Sequence, residues 1–476
     1  MASASPAQRS TPPASPPPSP FPVPGAVDPA LAALLHQSAD LLCRWLASAA
    51  DRPPLPGLSM LPVVEPDGLG LPNEQLLADL QLVMDGAFNP SHPGAIAHLD
   101  PPALPASIAA ELICAGLNNN LLAEELSPGL SRLERSLCAW LAERLGMPSG
   151  AGGVAASGGS LSNLMALVTA RRSRGLGACA DAVVLCSEDA HVSLIKALAV
   201  MGLPATALQR LPVDDLGRLQ VPALAERLAD LARRGVPVIA VVATAGTTVR
   251  GAIDPLPAIA DLCRRHGHWL HVDGAIGAVF ALAPDRAPLL QGLAAADSVT
   301  VNPQKLLGIT KTSSLLLLAD PQTLVHSFAT GLPYMEPSWG GGHGGEAGLQ
   351  GSRPAEILKL WLGLRQLGLA GIADLVEAAL DRRHQLEALL ATSDRLLLLG
   401  GPLHLLAFRP RGCEAEASNR WSAETRQRLL AAQLMLSRPL YQGSHHLKAV
   451  LGNPYTRSTD LERVARIVLD RLPLPS

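Results

Sequence analysis

Ser298-Val299-Thr300-Val301-Asn302-Pro303-Gln304-Lys305 is the stretch that decides how this chain is read. A β-like run ends in an Asn-Pro turn, and a lysine follows at once. The wider segment, Ala296 to Asp320, closes on the apolar run Ser314 to Ala319. Lys305 therefore stands between two strand-like stretches. A lysine taken at random is a solvated surface group. A desolvated amine has another use, because it can bond covalently to a carbonyl. Asp273 turns the odds towards that use. It lies 32 residues upstream, at the end of the strand-like run Trp269-Leu270-His271-Val272-Asp273.

An acid at the end of one strand and an amine just past the next is the arrangement that pyridoxal 5'-phosphate requires. The acid pairs with the pyridinium nitrogen and the lysine holds the aldehyde. His271-Val272-Asp273-Gly274-Ala275 followed by Asn302-Pro303-Gln304-Lys305 resembles the group II pyridoxal-phosphate-dependent amino-acid decarboxylases. These include the aromatic amino acid, glutamate, cysteine sulfinate and diaminobutyrate decarboxylases. The resemblance covers roughly residues 70 to 370 well and the last hundred residues more loosely. It implies the aspartate-aminotransferase-like type I fold, a carboxy-lyase that releases CO2 and an amine, and a homodimer with active sites near the interface. Independently, apolar strand and helix patterns alternate from 155 to 320, which indicates an α/β domain with a largely parallel sheet.

Composition narrows the partners. The chain has 476 residues, 48% of them hydrophobic and 17% charged, enough to bury a sizeable core. Its formal net charge is −3 and it has no basic block, which argues against nucleic acid or an anionic membrane as a partner. Seven cysteines without CxxC spacing are expected to be free thiols in a reducing, cytoplasmic setting. No apolar window is long enough for a membrane span, and no secretory signal is evident.

The expected organisation has four parts. Residues 1–27 form a disordered Pro-rich arm; nine prolines fall within the first 25 residues, and each lacks an amide donor. Residues 28–75 form a helical segment that opens on Asp28-Pro29, an N-cap followed by proline at the first helical position. Leu31, Leu34, Leu35, Leu42, Trp45 and Leu46 continue at helical spacing, an amphipathic stripe that must be covered. The resemblance implies that the partner subunit covers it. Residues 76–375 form the large cofactor-binding domain and 376–476 a small C-terminal α+β domain.

Further motifs fall in order. Ser157-Gly158-Gly159-Ser160-Leu161-Ser162-Asn163 leads into a helix, and a glycine turn at a helix N-terminus is a phosphate cradle. The resemblance makes Gly159 and Ser160 ligands of the cofactor phosphate. A serine-nucleophile reading fails because Ser160 is not in G-x-S-x-G. The Ala190-His191-Val192-Ser193 match places His191 on one ring face and Ala275 on the other. Thr248 of the Gly246-Thr247-Thr248 turn and Asn302 complete the expected cofactor contacts. Asp254-Pro255 is expected to cap the helix that runs to Arg265. Residues 326 to 352 are Gly-rich and form a long loop of functional character, and the resemblance makes Tyr334 within it a proton donor. Ser127-Pro128, an N-cap and N1 pair, opens a helix carrying Glu134. Arg353 stands where the family has Gly-Arg-Arg, with Pro354 in place of the second arginine.

The substrate is less determined. His98 takes a place where glutamate and cysteine sulfinate decarboxylases carry glutamine, and Gln304 replaces a histidine. Lys448, in Leu447-Lys448-Ala449-Val450-Leu451-Gly452-Asn453, stands where the family uses arginine for the substrate α-carboxylate. Lysine is a point charge without a bidentate fork. An acidic amino acid and 2,4-diaminobutyrate both remain open. The alternatives are another pyridoxal-phosphate lyase or aminotransferase, and a scaffold relative that would be colourless. No metal is expected.

Overall fold

Seven short runs pair into one sheet: β1 (Gly152–Ala156), β2 (Val183–Ser187), β3 (Leu208–Leu211), β4 (Val238–Thr244), β5 (Leu270–Gly274), β6 (Ser298–Val301) and β7 (Ser314–Leu318). Their order is β1-β7-β6-β5-β4-β2-β3. β7 runs antiparallel to both neighbours, and the remaining pairs are parallel. Every residue of β4 and β5 is buried, as expected of strands covered on both faces. Side chains alternate between two cores. Leu185 and Val241 join one with Val272, Val299 and Leu315, whereas Val184, Ile239 and Val242 join another with Leu167 and Leu198. The fold is the α/β type I architecture.

The computed structural model describes residues 21–473, apart from residues 23, 58–60, 67, 333–335, 337–338 and 341. Most of the expected arm, residues 1–20, lies outside the described residues, and so does Tyr334.

The chain divides into two compact units, residues 1–52 with 56–88, and 53–55 with 89–476. In the first, helices span Pro29–Ala47 and Asn73–Asp85. The Asp28 carboxylate caps the former by accepting from the amides of Ala30 and Leu31 at 2.9 and 3.0 Å. Neither helix has a buried residue, and Leu31, Leu35, Leu76, Leu80 and Val83 are exposed.

The second unit holds the large sheet and a smaller antiparallel one, β8 (Leu396–Gly400), β9 (Leu405–Pro410) and β12 (Leu447–Val450), in the order β12-β9-β8. A two-residue-per-strand hairpin, β10 (Leu440–Tyr441) with β11 (Ser444–His445), lies between β9 and β12 in sequence. Helix Ile357–Leu390 runs through position 376, and Gly368 interrupts it at φ 62°.

Two local expectations are corrected. Asp254 does not cap the helix Leu256–His266, whose N-cap is Pro255 without a side-chain bond. Its buried carboxylate accepts from the amides of Leu219 and Thr244, both at 2.7 Å, and so ties β4 to the chain entering the preceding helix, Val221–Arg233. Ser127 precedes the helix Pro128–Arg144 but makes no capping bond. Glu134 and Arg353, from two separate motifs, form a bidentate pair at 2.5 and 2.7 Å, with both side chains only 6% exposed. All seven cysteines are free. No helix among the described residues is long and apolar enough to cross a membrane.

Candidate functional site

The parallel registers bring three strand ends level. Asp273 lies opposite Thr244 of β4 and Thr300 of β6, so the chain leaves β4, β5 and β6 along one edge of the sheet. Helix Gly159–Ser173 starts just after β1 ends. Open α/β sheets place ligands at such carboxyl ends. A cavity of about 330 Å³ occupies this edge.

His98, Gly159, Ser160, His191, Thr248, Asp273, Ala275, Asn302, Lys305 and Lys448 all line this one cavity. They come from stretches spread over 350 residues of sequence (98 to 448). Asn163, Thr244, Gly246, Asp100 and Gln304 line it as well.

The glycine turn is shaped for an anion. Gly158 caps the helix at φ 129° with no side-chain bond, which leaves the first amides free at the positive end of the helix dipole. A Cβ on Gly159 would come within 2.9 Å of Asn302 Nδ2. Asn302 is held in turn by the Ser314 hydroxyl, which donates to its Oδ1 at 2.7 Å.

Asp273 is 6% exposed and accepts on both oxygens, from Asn163 Nδ2 at 2.8 Å and from the Ala275 amide at 3.2 Å. Lys305 keeps solvent access through the cavity, but protein packs around it on its other sides. This desolvation pushes its amine below the usual lysine range, against the pull of Asp273. Burial also lowers the His191 imidazole, again opposed by Asp273. Lys448 donates to the Thr248 carbonyl at 3.2 Å. Burial and then the nearby Lys305 bring its amine down to about 8. His98 is lowered by burial and then by Lys448. Asp100 forms an ion pair with Lys311 at the cavity edge.

Sequence reasoning quoted Asn163 and His271 within motifs but gave them no part. A signal was present for Asn163. It interrupts the buried stripe Ala166, Leu167, Ala170 of its helix, where an apolar residue is the rule and a polar one needs partners. Among the described residues, no group of His, Cys, Asp and Glu could hold a metal ion.

These residues fit pyridoxal phosphate. A desolvated lysine suits an aldehyde, a buried carboxylate suits a pyridinium nitrogen, and a cradle that a Cβ would fill at a helix N-terminus suits a phosphate.

Comparison with known proteins agrees. Residues 67–409 match the pyridoxal-dependent decarboxylase conserved domain. The L-2,4-diaminobutyrate decarboxylase of Rhizobium meliloti (strain 1021) is 32% identical over 388 residues, 80% of this chain and 78% of that protein. The aromatic-L-amino-acid decarboxylase of Bacillus atrophaeus is 32% identical over 323 residues, 67% of each. The crystal structure of mouse CSAD in apo form superposes with a TM-score of 0.85 at 26% identity, covering 93% of this chain and 99% of that one. The chain belongs to the pyridoxal-dependent decarboxylases, and it is an amino-acid carboxy-lyase that works with pyridoxal 5'-phosphate.

Proposed function

We propose that the substrate is a small amino acid with a charged side chain, 2,4-diaminobutyrate first among them. The observation that carries this reading is the presence of both Lys448 and Asp100 in the lining of one cavity. Every substrate of a decarboxylase brings an α-carboxylate, and the desolvated Lys448 cation is its natural partner. Asp100 then remains for a cationic side chain, and it already attracts the Lys311 ammonium. Leu99 and Ile276 are the large apolar side chains of the lining, a poor bed for an aromatic ring. Should Lys448 and His98 instead meet a side-chain carboxylate, the substrate is an acidic amino acid.

Lys305 Nζ would bind the cofactor aldehyde, and Asp273 would face the ring nitrogen. Gly159, Ser160 and the helix amides would hold the phosphate, with Thr248 and Asn302 beside it. His191 and Ala275 would take the two ring faces. Bound there, pyridoxal phosphate supplies an electron sink for the charge left when CO2 departs. Tyr334, or His191, returns a proton to Cα. Lys448 orients the carboxylate that leaves.

The working form is a homodimer in the cytoplasm. Its support is the exposed apolar side chains of helices Pro29–Ala47 and Asn73–Asp85, which a second copy would cover.

The test is CO2 release by the cofactor-loaded protein from diaminobutyrate, glutamate, aspartate, cysteine sulfinate, ornithine, lysine, tyrosine and DOPA. Diaminobutyrate should be fastest, and Asp100→Asn should cut its kcat/KM while sparing acidic substrates. Preference for tyrosine or DOPA would overturn the substrate reading. Lys305→Ala should lose both the bound-cofactor colour and turnover.

A further inference from the structure

One chain of hydrogen bonds runs beneath the cavity, and its direction can be worked out atom by atom. The Asp273 carboxylate only accepts, so the group of Asn163 that meets Oδ2 at 2.8 Å is its amide NH2. Asn163 Oδ1 therefore points the other way. It accepts from the Thr300 hydroxyl at 2.7 Å and from His271 Nε2 at 3.1 Å. His271 is fully buried, and burial lowers its imidazole towards the neutral form; facing the acceptor Asn163 Oδ1, it carries its ring proton on Nε2. Its bare Nδ1 accepts from the Ser298 hydroxyl at 2.9 Å. Ser298 Oγ accepts in turn from the Trp269 indole N–H at 2.9 Å. No donor faces a donor along this branch.

The other branch leads back to the cavity. The second Asn163 Nδ2 hydrogen goes to Ser193 Oγ at 2.9 Å. The Ser193 hydroxyl is thereby left to donate, and its partner is His191 Nδ1 at 2.9 Å. The Ser193 backbone amide donates to the same Nδ1 at 3.2 Å. A ring nitrogen that accepts twice cannot hold a proton.

We propose that Asn163 is a positioning residue which, oriented by the Asp273 carboxylate, acts through Ser193 to fix His191 as the tautomer with its proton on Nε2. Asn163 is 1% exposed and Ser193 1%, so water cannot stand in for a missing link. His191 then presents an N–H, not a lone pair, at the nitrogen that is not anchored. It enters the reaction as a proton holder at Nε2. The two residues expected at the ring nitrogen and on the ring face are thus one electrostatic unit, joined by a side chain that lies three residues after the phosphate turn.

The inference rests on the reading of this cavity as the cofactor site only for the roles of Asp273 and His191, and the two readings fail separately. The experiment uses the holoenzyme with ring-15N histidine. The His191 pair of resonances, among those of 13 histidines, is identified by its loss in His191→Gln. Wild type should show one bare nitrogen, Nδ1, and one protonated nitrogen, Nε2. Asn163→Ala should collapse this pattern towards averaged values, although Asn163 makes no hydrogen bond to His191. Ser193→Ala should weaken it, and adding it to Asn163→Ala should change little more. A proton on Nδ1 in wild type overturns the proposal without recourse to any variant. So does a folded Asn163→Ala protein whose His191 pattern is that of wild type. If Asn163→Ala does not fold, an unchanged pattern in Ser193→Ala overturns it and a weakened one supports it. A colourless protein that shows the expected ring pattern would remove the cofactor reading and leave this one standing.

Discussion

Lys448 offers the sharpest test of the substrate end of the cavity. The residue is 7% exposed, and its amine lies at about 8 instead of the usual 10.5, chiefly through burial. It is a cation below about pH 8 and neutral above. Lys448→Gln keeps much of the volume and removes the charge. A charge-assisted hydrogen bond to a carboxylate contributes about 1.5–3 kcal/mol, and about 1.4 kcal/mol is a factor of ten. Loss of the cation should therefore raise KM about 10- to 150-fold at neutral pH, with kcat changed less. The sign of the pH effect follows. In wild type, kcat/KM should fall about tenfold per pH unit above roughly 8. Lys448→Arg cannot lose its charge in this range, so that limb should vanish while KM stays low. The assay is CO2 release between about pH 6 and 10 for the three proteins, with any limb due to the substrate amine common to all. A wild-type falling limb retained by Lys448→Arg, or a wild-type KM in Lys448→Gln, would refute the reasoning.

Other outcomes follow from the same cavity and its supports. Asp273→Asn should keep part of the bound cofactor by absorbance but lose rate on the order of 10²-fold, the scale of one electrostatic stabiliser; an unaffected rate would count against the acid. Gly159→Val would push into Asn302, and overpacking of about 1–3 kcal/mol should weaken cofactor binding about 5- to 150-fold in a spectral titration. Arg353→Met leaves the buried Glu134 carboxylate without its bidentate partner and should destabilise by about 3–5 kcal/mol. Calorimetric melting at one fixed cofactor concentration reads this, and Glu134→Leu in the same chain should recover much of the loss.

The strands and the cavity were legible because their signals are local. Trp269 to Asp273 reads as a buried strand ending in an acid, and the observed β5 differs from it by one residue at each end. Ser157 to Asn163 reads as a glycine turn before a helix, and the helix begins within it at Gly159. Asp254 was misread because Asp-Pro before an apolar helix is the ordinary look of a cap. Only the fold brings the amides of Leu219 and Thr244 to the same carboxylate. Gly368, at φ 62°, breaks the run from Ile357 to Leu390 into two helices, since a residue in the left-handed region redirects the chain. The Asn163 network could not be read forward. Its members span residues 163 to 300, and polar partners at that separation have no period or spacing to announce them.

The antiparallel strand β7 has a consequence for the order of assembly. β1 has one sheet neighbour, β7, and Gly153 pairs with Leu317 from the far side of the domain. Gly153 is confined there: a Cβ would sit 1.9 Å from the Leu316 carbonyl oxygen. The helix that carries the phosphate turn hangs from β1 and packs on β7 as well as on β4 and β6, so its seat is complete only when β7 has been made. Such long-range pairing is slow, because loop closure must precede the contacts that reward it. On a growing chain, strands β2 to β6 can pair as they emerge, but β1 waits. Nascent chains that end before residue 314 should therefore be unable to capture the cofactor, making its binding a late event in biogenesis.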